Sequence, residues 1–150
     1  MMTLAPEPSV KFDPFEEEHD HLKHAILDLR RVLTERQASQ DAVIERFAAF
    51  AESIRAHFVH EELQDGFFDS VVDQAPWLNE RADALIDEHR ELSAQLAQMQ
   101  WHVAQGVLAD AWWRTIQASF EAFYLLLSRH EAEENRLVQT AFNQDIGAED

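Results

Sequence analysis

Cysteine is missing from the 150 residues altogether, which removes disulfides, iron–sulfur clusters and thiol catalysis from consideration. Glycine and proline are scarce, at three and four residues. With Ala, Leu, Glu and Gln abundant, that scarcity favours an all-helical class over a turn-rich β fold. Cations are short as well: 12 Lys and Arg stand against 29 Asp and Glu, a formal net charge of −17. Nucleic-acid backbones and anionic membranes both demand cationic surfaces, so neither is expected as a partner. No apolar run approaches the length of a membrane span. The N-terminus lacks a basic region followed by an apolar segment, so no export signal is read there and the cytoplasm is the expected location.

What the chain does have is a spacing. In Arg55-Ala56-His57-Phe58-Val59-His60-Glu61-Glu62, His57 and Glu61 are four apart, an advance of about 400° that stacks them on one helical face. Steps of three and four through Val43, Phe47, Phe50, Ile54, His57, Glu61 and Phe68 show that this face is otherwise apolar, with Gln64 the exception. A carboxylate buried there costs several kcal/mol without a partner, so a partner is expected. The same pattern recurs in Ile116, Phe120, Phe123, Leu127, His130, Glu134, Leu137. Two further apolar stripes each hold one imidazole: Phe15, His19, Leu22, Ile26 and Leu85, His89, Leu92, Leu96. Their contexts match, Glu18-His19-Asp20-His21-Leu22 against Glu88-His89-Arg90-Glu91-Leu92, so the chain reads as two copies of a helix pair.

Boundary residues divide the chain. Residues 1–12 are expected as a flexible N-terminal arm, with Asp13-Pro14 opening the first helix. Ser39 or Asp41 caps the second, which runs towards Gln74 with an irregularity at Gly66. Pro76 forces a break, Trp77 starts the third, Gly106 ends it, and Asp110 caps a fourth reaching about Asn143, leaving 144–150 as a tail. Four long helices with three short connections predict an up-down-up-down antiparallel four-helix bundle over residues 13–143. Measured from the turns near residues 39, 75 and 108, neighbouring members of the set His19, His57, Glu61, His89, His130 and Glu134 lie at matching levels, within about one helical turn.

Imidazoles and carboxylates without thiolates suit iron, manganese or zinc. Two carboxylates can bridge two cations while each takes two His. With a bridging hydroxide or oxide each metal keeps an open position for dioxygen, peroxide or nitric oxide. Six matched positions on four helices weigh against a merely hydrogen-bonded polar core.

The pattern His, His-x-x-x-Glu, His, His-x-x-x-Glu resembles the hemerythrin-like (HHE cation-binding) family over residues 13 to about 143, and His57-Phe58-Val59-His60-Glu61-Glu62 with Gly66-Phe67-Phe68 is similar to a common bacterial form of it. The resemblance implies a four-helix bundle with a non-haem di-iron centre, two iron ions joined by a hydroxo or oxo bridge. Carried over by position, the ligands are His19, His57, Glu61, His89, His130 and Glu134. Oxygen-carrying members have a second His four residues from the first on the third helix, where this chain has Leu85 and Ser93, and end on His-x-x-x-x-Asp rather than His-x-x-x-Glu. Those departures point away from reversible oxygen carriage. The leading expectation is a protein that binds or senses dioxygen or nitric oxide. A di-iron oxidoreductase consuming peroxide or oxidising Fe(II) is the alternative, and a metal-free helical interaction module the third. Ferritin-like sites need Glu-x-x-His on two helices, and only Glu16-x-x-His19 fits. His21, His24 and His102 are read as lying outside the centre. His60 is a candidate for the layer around it, Glu62 and Glu133 are read as exposed glutamates on a charged face with the orienting of ligand imidazoles as the alternative, and Trp112, Trp113 and Tyr124 as packing or a subunit contact.

Overall fold

The computed structural model describes residues 8–149, with side chains from 15 to 143. Its elements are α1 (Pro8–Glu35), α2 (Gln40–Glu62), α3 (Phe67–Gln74), a 3-10 turn (Pro76–Leu78), α4 (Asn79–Val103) and α5 (Asp110–Glu149). No strand occurs among the described residues. The four long helices form an all-α four-helix bundle. α1 and α4 each pack on both α2 and α5. Along every neighbouring pair the numbering runs in opposite senses. On α1, His19 meets His57 of α2 and Glu134 of α5, whereas Asp28 meets Arg46 and Arg30 meets Glu121. On α4, His89 meets Glu61 and the backbone at Ser93 meets Arg55. Each long helix is therefore antiparallel to its neighbours, and the direction alternates up-down-up-down.

Several boundaries differ from those read in the sequence. Residues 1–7 of the expected arm lie outside the description, and from Pro8 the chain is already helical. Proline is tolerated in a first turn because its missing N–H would be unpaired there, so Pro8 opens a helix as legitimately as Pro14. At the other end the α5 backbone continues past Asn143 to Glu149, so most of the expected tail is helical. Ser39, not Asp41, caps α2: its hydroxyl accepts the Ala42 N–H at 3.1 Å. Asp110 does not cap α5, because the Trp113 N–H bonds the Ala109 carbonyl at 3.1 Å. Ala109 thus holds the cap position, and Asp110 sits one step inside, where its charge suits the helix dipole.

The irregularity expected at Gly66 is a full break between α2 and α3. Its N–H bonds the Leu63 carbonyl at 2.8 Å, and a Cβ there would lie 2.7 Å from that oxygen and 2.9 Å from the His60 carbonyl. Only glycine lets the backbone fold back so closely. The reversal lets α3 place Phe67, Phe68 and Val71 across one end of the bundle, joined by Phe15, Leu78, Leu85 and Leu137. A second, larger apolar cluster fills the rest of the interior around Phe47, Phe50, Ile54, Leu96, Phe120 and Leu127. Trp113 is buried in that cluster, with Trp112 and Tyr124 packed on its edge. Between the two clusters lies a polar slab. No described helix is long and apolar enough to cross a membrane.

Candidate metal centre

The slab contains all six residues singled out by register. Helices α2 and α5 each deliver a His and the Glu one turn on, and α1 and α4 each deliver one His. Glu61 is 0 % exposed and Glu134 1 %, with His57, His89 and His130 also buried; His19, at 13 %, is the most accessible of the set. Their ligand atoms fall into two groups that share both carboxylates. His19, His57, Glu61 and Glu134 form one, and Glu61, His89, His130 and Glu134 the other, with the atoms of each group within 4.8 Å of one another. His57 Nε2 stands 3.3 Å from one Glu61 oxygen and His89 Nε2 3.2 Å from the other. Glu134 divides its oxygens between His19 at 3.6 Å and His130 at 3.5 Å.

A second layer of carboxylates fixes the imidazoles. His57 Nδ1 donates to Glu18 at 2.5 Å, His89 Nδ1 to Glu62 at 2.7 Å and His130 Nδ1 to Glu88 at 2.8 Å. A carboxylate only accepts, so each Nδ1 carries the hydrogen and each ring turns its Nε2 to the centre. Glu18 also accepts from His60 Nδ1 at 2.7 Å, while Phe15 stacks on the His60 ring. His60 therefore supports the support. Glu62 is exposed as expected and also orients His89, whereas Glu133 pairs with Arg136. Glu18 and Glu88 carried no assigned role. Their only signal is that each directly precedes a lone His, and each reaches the His of an adjacent helix. His21 and His24 are exposed and His102 lies near the far end of α4. Glu16, which would complete a ferritin-like motif, is exposed too.

Electrostatically the slab is unbalanced. None of the four oxygens of Glu61 and Glu134 accepts a hydrogen bond from the protein. His89 Nε2 and His130 Nε2 face each other at 3.1 Å, and His19 Nε2 lies 2.9 Å from His57 Nε2. Burial pushes Glu134 well above the ordinary carboxylate range, and the charge of Glu61 pushes it further. Burial also penalises ionised Glu61, but His19, His57 and His89 outweigh that and hold it well below the usual value. One carboxyl of the pair thus keeps its charge and the other resists it, as like charges sharing a site must. His57 is pulled down by burial and more than restored by Glu61 and Glu18; His130 is lowered by burial, with His89 adding to the effect against Glu88. Converging acceptors without donors are what a cation site looks like in its protein component, and the nitrogen–oxygen donor set fits iron, manganese or zinc.

A family model for the hemerythrin HHE cation binding domain matches residues 10–142. The chain belongs to the hemerythrin HHE family. No curated protein and no solved structure gives a significant match. The matched residues include both groups of the slab that could hold a cation. Leu85, one of the two positions where oxygen-carrying hemerythrins have their extra His, is buried in the apolar cluster below the centre. Ser93, the other, turns its carbonyl to Arg55.

Proposed function

We propose that this HHE protein holds two iron ions, one by His19, His57, Glu61 and Glu134 and the other by Glu61, His89, His130 and Glu134, and that it binds or senses dioxygen or nitric oxide in the cytoplasm. The observation that carries the reading is the set of four buried carboxylate oxygens that accept no hydrogen bond from the protein, with the Nε2 atoms of four imidazoles gathered around them. Two cations placed between them would satisfy every one of these atoms, with Glu61 and Glu134 spanning both. Bound iron supplies positively charged centres with coordination positions left over for a small ligand. The protein's own part is to hold the Nε2 atoms in place through Glu18, Glu62 and Glu88, and to exclude bulk water with the apolar clusters above and below. With Leu85 and Ser93 at the positions of the oxygen carriers' extra His, the chain would offer one imidazole fewer to the bound metals.

Anaerobic loading with Fe(II), followed by absorbance spectra on adding dioxygen, nitric oxide or peroxide in turn, tests the proposal. A new visible band with nitric oxide, and irreversible oxidation by dioxygen, is the expected result. Spectra unchanged by either gas would refute the binding or sensing role. Rapid repeated turnover of peroxide would place the protein with the oxidoreductases instead.

A further inference from the structure

The two helix pairs repeat their central residues but not the layers behind them. In the first pair Glu18 engages α2 through both oxygens: Oε1 accepts from His57 Nδ1 at 2.5 Å and Oε2 from His60 Nδ1 at 2.7 Å. In the second pair Glu88 holds the corresponding place and accepts from His130 Nδ1 alone, with no hydrogen bond to its other oxygen among the described residues. The repeat position of His60 is Glu133, which pairs with Arg136. An ionised glutamate there has no hydrogen to donate to Glu88.

The surroundings of Glu18 show what the extra bond does. A cavity of about 470 Å³ opens between α1 and α2, bordered by Glu17, Glu18, His21, Ser53, His57 and His60. A glutamate beside that much open space, held by one oxygen only, has other staggered conformations within reach, and the ring it supports is then free to turn. The bond from His60 fixes the second oxygen, so the carboxylate keeps one orientation. His60 is itself held from the far side. Its ring stacks on Phe15 with centroids 4.4 Å apart, and Phe15 meets Phe67 edge-on at 5.6 Å. Phe67 is the first residue of α3, directly after the Gly66 reversal. The second pair lacks the equivalent stack, because Leu85 stands at the repeat position of Phe15. A continuous line of contacts thus runs from α3 through Phe15, His60 and Glu18 to His57.

We propose that His60 is a positioning residue for the centre: by fixing Glu18 it keeps His57 Nε2 turned to the cation that His19, His57, Glu61 and Glu134 would hold. The proposal rests on the two-metal reading above. His60 belongs to neither group of ligand atoms, and its effect passes through the N–H it donates. The stack on Phe15 serves to keep that donor in place.

Three variants of the full chain separate the donor from the packing. His60→Phe keeps a ring against Phe15 and loses the N–H. His60→Asn loses the ring and brings an amide N–H close to the place of Nδ1. Glu133→Ala alters the repeat position on α5. Iron affinity is measured by competition between each Fe(II)-loaded protein and a ferrous chelator under anaerobic conditions. In the metal-free proteins, NMR follows the exchange of the His57 Nδ1 proton with water. His60→Phe should weaken iron binding about tenfold, the lower end of the cost of losing an outer partner of a metal-bound imidazole, and should speed that exchange. His60→Asn should lie closer to the wild type than His60→Phe in both readings, and Glu133→Ala should match the wild type. Melts of the metal-free variants verify that all are folded. Unchanged affinity and exchange in His60→Phe, a greater loss in His60→Asn than in His60→Phe, or an equal loss in Glu133→Ala would overturn the proposal while leaving two-metal binding intact. Wild-type protein that takes up no iron would overturn both.

Discussion

Replacing Glu134 by Gln should stabilise the metal-free protein while crippling its response to iron. Glu134 is 1 % exposed, neither of its oxygens accepts a hydrogen bond, and Glu61 repels its charge. The Gln amide keeps the volume, removes the charge and adds two N–H donors to a slab made of acceptors. Relieving one unsatisfied buried group is worth about 2 kcal/mol, which for a chain of this length corresponds to a rise in Tm of about 4–8 °C. The sign of the pH dependence follows from the direction of the shift. A group whose pKa is higher folded than unfolded contributes fully to stability below its unfolded value, about 4.5 for a glutamate, and loses that contribution as pH rises towards the folded value. The advantage of Glu134→Gln should therefore be near zero at pH 4, grow through the range above it, and be plain at pH 8. Iron should reverse the ranking. At a free concentration a hundredfold above Kd, a bound metal adds about 2.7 kcal/mol to the wild type by mass action, and the variant, lacking one of the two carboxylates common to both groups, should gain much less. Circular dichroism melts at pH 4, 6 and 8, metal-free and with anaerobic Fe(II), provide the readings. A variant less stable than wild type at pH 8 without metal, or equally raised by iron, would refute the reasoning.

Glu18→Gln keeps a hydrogen-bonding group beside His57 but removes the charge that orients it, so iron affinity measured by chelator competition should fall about 10- to 100-fold. His21→Ala, on an exposed residue of the same helix, should leave that affinity unchanged; equal losses would mean that surface charge governs binding. Gly66→Ala forces a methyl group to within 2.7 Å of the Leu63 carbonyl and should cost about 1–3 kcal/mol in urea unfolding. An unaltered midpoint would show that the α2–α3 reversal has slack.

The six central residues were legible because helical advance is nearly fixed. Once Val43, Phe47, Phe50 and Ile54 define the buried stripe of α2, the places of His57 and Glu61 follow without knowledge of any other helix. Alternating helix direction was legible from the short connections in the same way. Glu18 and Glu88 were not, because they lie off the stripe on their own helices and act on neighbours. Which imidazole each supports depends on how adjacent helices pack, a property of the assembled bundle. Glu62 and Glu133 were not told apart for the same reason, since a glutamate on a charged face has the same local signature whether or not it reaches an imidazole. The start of α1 failed differently: Pro8 and Pro14 are both permitted helix openers, and local chemistry does not rank them. The inequivalence of Glu61 and Glu134 was equally hidden. Their helical registers are identical, but three imidazoles surround Glu61, while Glu134 is set against a carboxylate that already holds the charge.

Metal stoichiometry bears most directly on the central claim. After anaerobic reconstitution with Fe(II) and removal of loosely held ions, elemental analysis of the wild-type chain should find two iron ions per polypeptide. Protein that retains no metal, or a single zinc in place of the pair, would contradict the account.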